Sequence, residues 1–240
     1  MKPVCIILIT KDRPKLFEQT VRSLFKNTPR ELYDLIIIDD GSQIIDFKKG
    51  LHDHRFFNPY GVADHLIFTD FKSPSTCRNL GIEIAKRKGY KYVYHSDNDM
   101  YFLPGWLEKC IDLKENQGYK NLTIIGPYCH PFLQENNDIL ENKSEDFYTV
   151  DAVSGNSWFI ETKDYLDYGL IEHKGIMNSE DWEMCQRIRK DKKLCVALRE
   201  KLVLHCGITN SRGEPSVGAD LLLEELSQAK VKHGTDIYYE

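Results

Sequence analysis

Apolar positions in this 240-residue chain gather into short unbroken runs, and the early ones close on a polar or acidic turn followed by helical spacing. Val4-Cys5-Ile6-Ile7-Leu8-Ile9-Thr10 has no polar alternation, the pattern of a strand buried on both faces of a parallel sheet. After it, Asp12 can cap a helix and Pro14 can occupy the first turn, and Leu16, Phe17, Thr20, Val21, Leu24 and Phe25 recur at helical spacing towards Asn27. Leu35-Ile36-Ile37-Ile38-Asp39-Asp40-Gly41-Ser42 repeats the design, so a second strand delivers acids to its carboxyl end. A short helix is predicted around Ile44 to Leu51, a third strand over His65 to Thr69, and a helix capped by Ser75 with Leu80, Ile84 and Ala85 facing inward. That helix leads into a strand over residues 92–97.

Beyond Pro104-Gly105 the pattern predicts a helix over residues 106–117, a strand at Leu122-Thr123-Ile124-Ile125-Gly126 and a loop from Pro127 to Asn142. Two strands follow, over residues 147–150 and 156–160, and then a helix that Ser179 can cap, with Glu180 and Asp181 in its first turn. Acids there suit the positive end of a helix dipole whether or not they have another role. Leu194 to Leu204 reads as one strand ending in His205-Cys206-Gly207, and residues 219–231 as a last helix. The Gly- and Pro-bearing stretch from Asn210 reads either as a mobile lid or as an ordinary surface loop. Strands and helices in alternation, with short connections, predict an α/β fold with a mainly parallel sheet flanked by helices.

Composition narrows this picture. The chain shows no linker that would divide it, so a single domain is expected. With 41% hydrophobic and 29% charged residues it reads as an ordinary globular protein, and no apolar run approaches the ~18 residues of a transmembrane segment. A formal net charge of −5 offers no general field for nucleic acid, so no general nucleic-acid binding is expected. The basic clusters at Lys86-Arg87-Lys88 and Arg187 to Lys193 read as solvated helix faces. Seven scattered cysteines without a Cys-x-x-Cys pair point to free thiols in a reducing compartment, and a cytoplasmic location is the simplest expectation.

The candidate chemistry centres on Tyr92-Val93-Tyr94-His95-Ser96-Asp97-Asn98-Asp99, a buried-strand pattern that ends in two acids spaced by one residue. Ligands of open α/β sheets bind outside the carboxyl ends of the strands. Two carboxylates there suit a hard cation, Mn²⁺ or Mg²⁺, bridging them to an anionic ligand; the competing reading is a polar turn with two solvated acids. His205, at the end of another predicted strand, is a further metal-capable group.

In order, Ile9-Thr10-Lys11-Asp12-Arg13-Pro14, Ile38-Asp39-Asp40-Gly41-Ser42, Cys77-Arg78-Asn79-Leu80-Gly81-Ile82 and Asp97-Asn98-Asp99-Met100-Tyr101-Phe102-Leu103-Pro104-Gly105-Trp106 together resemble the GT-A glycosyltransferases, especially glycosyltransferase family 2. The resemblance covers roughly residues 3 to 207, with Glu180-Asp181 and His205 following in the family's order. It implies a GT-A, Rossmann-like domain over residues 1–207, with a nucleotide-binding half at 1–100, an acceptor-binding half at 101–207 and an appendage at 208–240. Carried over to these positions, it implies that Thr10, Arg13, Asp39, Asp40 and Arg78 line the nucleotide-sugar site. Asp99 and His205 would ligate the metal, Asp97 would reach the ribose or a metal-bound water, and Asp181, paired with Glu180, would be the catalytic base of an inverting enzyme. Trp158 and Trp182 read equally as platforms for an acceptor sugar or as core. Two departures are visible. Met100 stands where many relatives carry an acid, and the Gln-x-x-Arg-Trp run of processive synthases is missing, so a single added sugar is expected.

The function expected is therefore metal-dependent, inverting transfer of one sugar from a nucleotide-diphosphate sugar, a UDP-sugar first, to a hydroxyl acceptor such as a glycan. Two other readings compete. A sugar nucleotidyltransferase would need a Gly-rich phosphate loop after the first strand, and Lys11-Asp12-Arg13 lacks the glycines. A catalytically silent nucleotide- or carbohydrate-binding module would have lost one of Asp99, Asp181 or His205, and all three are present.

Overall fold

A computed structural model describes residues 2–56, 63–70, 72–115, 119, 121–128, 139–141, 144–171, 180–209, 215, 218–234 and 236–240. Four parallel strands occupy one half of a nine-stranded sheet: β1 (Val4–Thr10), β2 (Tyr33–Asp40), β3 (His65–Thr69) and β4 (Tyr92–Ser96). The other half holds β6 (Leu122–Gly126), β7 (Ile139–Glu141), β8 (Phe147–Val150), β9 (Ser157–Glu161) and β10 (Leu194–Leu198), in the overall order β3-β2-β1-β4-β9-β6-β10-β8-β7. All strands but β8 and β9 run in one direction. A second, two-stranded sheet pairs β5 (Met100–Phe102) with β11 (Val203–His205).

Period-two alternation on β1 explains the two cores. Ile6 and Leu8 face one side, with Phe17 and Val21 of α1 (Pro14–Asn27), Phe47 and Leu51 of α2 (Ile45–His52) and Trp106 of α4 (Trp106–Glu115). Cys5, Ile7 and Ile9 face the other, with Cys77, Ile82 and Ala85 of α3 (Pro74–Lys88), Tyr165 of α5 (Thr162–Asp167) and Met184 and Ile188 of α6 (Glu180–Lys190). A third cluster joins Leu16, Tyr101, Leu204 and Cys206 to Leu226 and Ala229 of α7 (Ala219–His233). The chain end also returns to the small sheet, where Ile208 and Thr209 donate their N–H groups to the Glu240 carbonyl at 2.8 and 3.0 Å.

The structure corrects several local predictions. Ser73, not Ser75, caps α3: its hydroxyl accepts the Thr76 N–H at 3.2 Å, because Pro74 takes the first helical position. Leu80 points largely to solvent, while Ile82 fills the inward place beside Ala85. Asp12 does not cap α1; Arg13 occupies the cap position in a left-handed conformation, and the Asp12 carboxylate receives the Gln43 and Ile44 N–H groups, each at 2.9 Å. The segment expected as one strand from Leu194 to Leu204 is two strands in different sheets, parted at residues 199–202. Ser179 and most of the loop expected between Pro127 and Asn142 lie outside the described residues, but residues 139–141 of that loop form strand β7, paired with β8. The six described cysteines are buried and unpaired.

Candidate active site

Antiparallel pairing decides which groups meet at the carboxyl edge of the sheet. In the small sheet His205 stands opposite Met100, so its ring falls beside Asp99, with Nε2 3.3 Å from Oδ2. The Cys206 N–H donates to the Asp99 carbonyl at 2.7 Å and extends that register by one step. From the start of α1, Arg13 brings Nη1 to 2.7 Å from the same Asp99 oxygen. Asp99 is buried, which alone would push its carboxyl up, but the His205 and Arg13 charges outweigh burial and hold it well below the usual carboxylate range. Burial works to lower His205, yet the Asp99 carboxylate prevails and raises it. Asn98, between the two acids, donates from Nδ2 to Thr10 Oγ1 at 3.0 Å and to the Asp12 carbonyl at 3.3 Å, fixing the turn to the end of β1.

A second cluster lies beside the first. Because β9 runs antiparallel to β4, with Ser157 opposite Ser96, the turn that enters β9 sits next to the chain leaving β4. Ser154, Gly155 and Asn156 of that turn line an open cleft of about 360 Å³ with Pro74, Arg78, Asp97 and Asp181. Arg78 Nη2 donates to Asp97 Oδ1 at 3.0 Å. The Gly155 N–H donates to Asp181 Oδ2 at 3.2 Å, and the Trp182 N–H to Asp181 Oδ1 at 2.8 Å. A carboxylate from α6 and a carboxylate–guanidinium pair from the turn after β4 and from α3 thus share one cleft.

Strand alternation separates the adjacent acids of β2. Asp39 pairs in register with Thr10, and one of its oxygens accepts the Ser42 hydroxyl hydrogen bond. Its Oδ2 is buried with no hydrogen-bond partner, and burial pushes the Asp39 carboxyl up against the opposing pull of Ser42. Asp40 faces α3, where its Oδ1 receives the Lys72 N–H at 2.7 Å and the Thr69 hydroxyl at 3.1 Å. Asp39, with an unspent acceptor, and Asp40, committed to the turn after β3, therefore differ in what they can offer a ligand.

The sequence model described as "Glycosyl transferase family 2" matches residues 5–130, more than half of the chain. The chain belongs to glycosyl transferase family 2. No curated protein sequence matches it significantly. Among solved structures this family 2 chain is similar to GalNAc-T7 in complex with UDP, GalNAc and Mn²⁺, at 15% identity and a TM-score of 0.69 over 93% of this chain and 48% of that one. It is also similar to the mannosyltransferase PcManGT from Pyrobaculum calidifontis with GDP-Man and Mn²⁺, at 12% identity and a TM-score of 0.71, over 99% of this chain and 66% of that one. The family 2 chain has the GT-A fold and spans about half the length of the first neighbour.

Mn²⁺ accompanies both neighbours, and the residues present here fit such an ion. Asp99 Oδ1 and His205 Nδ1 are buried with no hydrogen-bond partner, and the carboxylate and imidazole, 3.3 Å apart at Oδ2 and Nε2, are both ligand types that suit Mn²⁺. Among the described residues no three His, Cys, Asp or Glu side chains form a complete site, so ligand oxygens would have to complete the sphere. Asp97, expected to help with the metal, is turned towards Arg78.

Two expectations change with burial. Trp158 is fully buried, donating from Nε1 to the Val153 carbonyl at 2.8 Å, so it is core and offers no face to a sugar. Trp182 is 45% exposed on the first turn of α6, beside Asp181. Thr10 reaches the edge, where it is buried and its hydroxyl oxygen accepts from Asn98. The Glu180 side chain lies outside the described residues. Asn98, Ser42 and Gly155 join the site without being singled out by the sequence pattern. Ser42 lies in the Ile-Asp-Asp-Gly-Ser motif and Asn98 in the Asp-x-Asp, whereas Gly155 has no local signal. Among the described residues, no helix is long and apolar enough to cross a membrane.

Proposed function

We propose that this protein is a metal-dependent, inverting glycosyltransferase that moves one sugar from a nucleotide-diphosphate sugar, in the first instance a UDP-sugar, to a hydroxyl acceptor such as a glycan. Asp181 sharing a cleft with Asp97 and Arg78, next to the Asp99–His205 pair, is the observation that carries the reading. In a single displacement the acceptor hydroxyl loses its proton as it attacks the anomeric carbon, so a carboxylate must stand on the acceptor side of the donor. Asp181 has that place in this proposal, with Glu180 as its neighbour and Trp182 as a platform for the acceptor ring. Asp39 Oδ2 is an acceptor for a uracil N–H or a ribose hydroxyl, and acids are suited to the nucleoside and not to the phosphates. Asp97 serves the ribose side, held by Arg78. Asp99 and His205 would hold Mn²⁺ or Mg²⁺, which when bound supplies a positive charge against the leaving diphosphate.

This reading divides the chain into a nucleotide-binding half over residues 1–100 and an acceptor-binding half over 101–207, followed by the segment 208–240. Release of nucleoside diphosphate from a panel of UDP-, GDP- and dTDP-sugars, with and without Mn²⁺, tests it. Metal-dependent release with a UDP-sugar, enhanced by a hydroxyl acceptor, is the expected result. Release unaffected by chelation, or none from any nucleotide sugar, contradicts it.

A further inference from the structure

Arg13 stands in an unusual place for a residue expected to line the nucleotide. It and Asp12 both have positive φ, 55° and 52°, a conformation that non-glycine residues take only where the surroundings hold it. The surroundings do so here: the Asp12 N–H donates to Ser42 Oγ at 2.7 Å, and its carboxylate receives the Gln43 and Ile44 N–H groups. The loop after β1 is thereby fastened to the turn after β2, and Arg13 is thrown across the sheet edge to Asp99, 86 residues away in sequence. Its Nη2 also donates to the Thr209 carbonyl at 3.3 Å. Gly207 closes the arrangement, because a Cβ there would collide with the Asp99 carboxylate and stand 3.0 Å from Arg13 Nη2.

We infer that Arg13 is a competing cation at Asp99, which weakens divalent-ion binding by the protein alone and makes it depend on a diphosphate. The inference rests on the metal reading of Asp99 and His205. Arg13 Nη1 and His205 Nε2 address the same Asp99 oxygen, so an ion held by Asp99 and His205 meets a fixed positive charge. A guanidinium does not lose its proton at any ordinary pH, so it cannot relieve that repulsion by deprotonation. Its planar fork fits a diphosphate as well as a carboxylate, and a nucleoside diphosphate at this edge gives it an alternative partner. Ion and diphosphate then favour each other, and the coupling is reciprocal.

Mn²⁺ binding followed by the electron paramagnetic resonance of the free ion, with and without UDP, tests this on wild type, Arg13→Met, Arg13→Gln and Arg13→Lys. Both neutral variants are expected to bind Mn²⁺ alone about tenfold or more tightly than wild type and to lose most of the gain that UDP gives; the lysine variant, which keeps the charge without the fork, keeps the weak binding of Mn²⁺ alone and only part of the UDP gain. Should the methionine variant not fold by circular dichroism, the glutamine variant decides. Unchanged or weaker Mn²⁺ binding by the neutral variants overturns the inference and leaves the metal site standing. No Mn²⁺ binding by wild type with UDP present overturns the metal reading, and this inference with it.

Discussion

Asp181 Oδ2 accepts the Gly155 N–H at 3.2 Å, so the carboxylate at the head of α6 is docked on the turn that enters β9. That turn lies beside the end of β4 because Ser157 pairs with Ser96, and the contact thus ties the start of α6 to the edge from which Asp97 emerges.

Asp181→Asn keeps the side chain's size and one of the two acceptor oxygens that the Gly155 and Trp182 N–H groups use, but cannot take a proton. Turnover is expected to fall by about 10² to 10⁴-fold while UDP binding, measured by calorimetry, is unchanged. Near-wild-type turnover would exclude Asp181 as the base.

The two tryptophans should separate cleanly. Trp158→Ala opens a hole in the core and should cost about 3–5 kcal/mol in urea unfolding. Trp182→Ala removes an exposed ring, so its unfolding midpoint should match wild type while the acceptor KM rises. A stability loss at Trp182 comparable to that at Trp158 would show that it, too, serves as core.

Gly81, in the Cys-Arg-Asn-Leu-Gly-Ile motif, is where α3 rests on β1. A Cβ there would stand 2.5 Å from Ile7 Cγ2. Gly81→Ala should therefore destabilise by about 1–3 kcal/mol despite alanine's better helix propensity, read from the shift in urea midpoint. A more stable variant would mean that α3 and β1 are less closely packed.

Glu225 on α7 is buried, with Lys201 Nζ 3.0 Å from Oε1. Burial raises its carboxyl above the ordinary 4.5, against the opposing pull of Lys201. A raised folded value means that the folded state holds the proton more tightly. The group's stabilising contribution is full below pH 4.5 and is lost as pH rises through the folded value. Glu225→Gln should consequently raise Tm at pH 7, with the gain vanishing in acid. A lower Tm at pH 7 would show that the Lys201 ion pair outweighs the desolvation of the carboxylate.

Much of the parallel half was legible because burial on both faces leaves an unbroken apolar run: β1, β2 and β4 each announce themselves, and the acids that follow mark the carboxyl edge. What local pattern does not carry is pairing. Nothing near Leu194 to Leu204 says that Val203 to His205 will leave the large sheet to pair with Met100 to Phe102, yet that pairing brings His205 to Asp99. Likewise Arg13 reaches Asp99 only through the fold, and the core position of Trp158 follows from its place on β9, a central strand between β4 and β6. The opposite facing of Asp39 and Asp40 was available from strand periodicity alone, since neighbours on a strand point to opposite faces.

Proton NMR of the first product formed with an accepted nucleotide sugar tests the central claim most directly, because it reads the configuration of the new anomeric bond. A base at Asp181, acting in one displacement, requires the configuration opposite to the donor's, and that is the expected spectrum. A product that keeps the donor's configuration would contradict both the single displacement and the role given to Asp181.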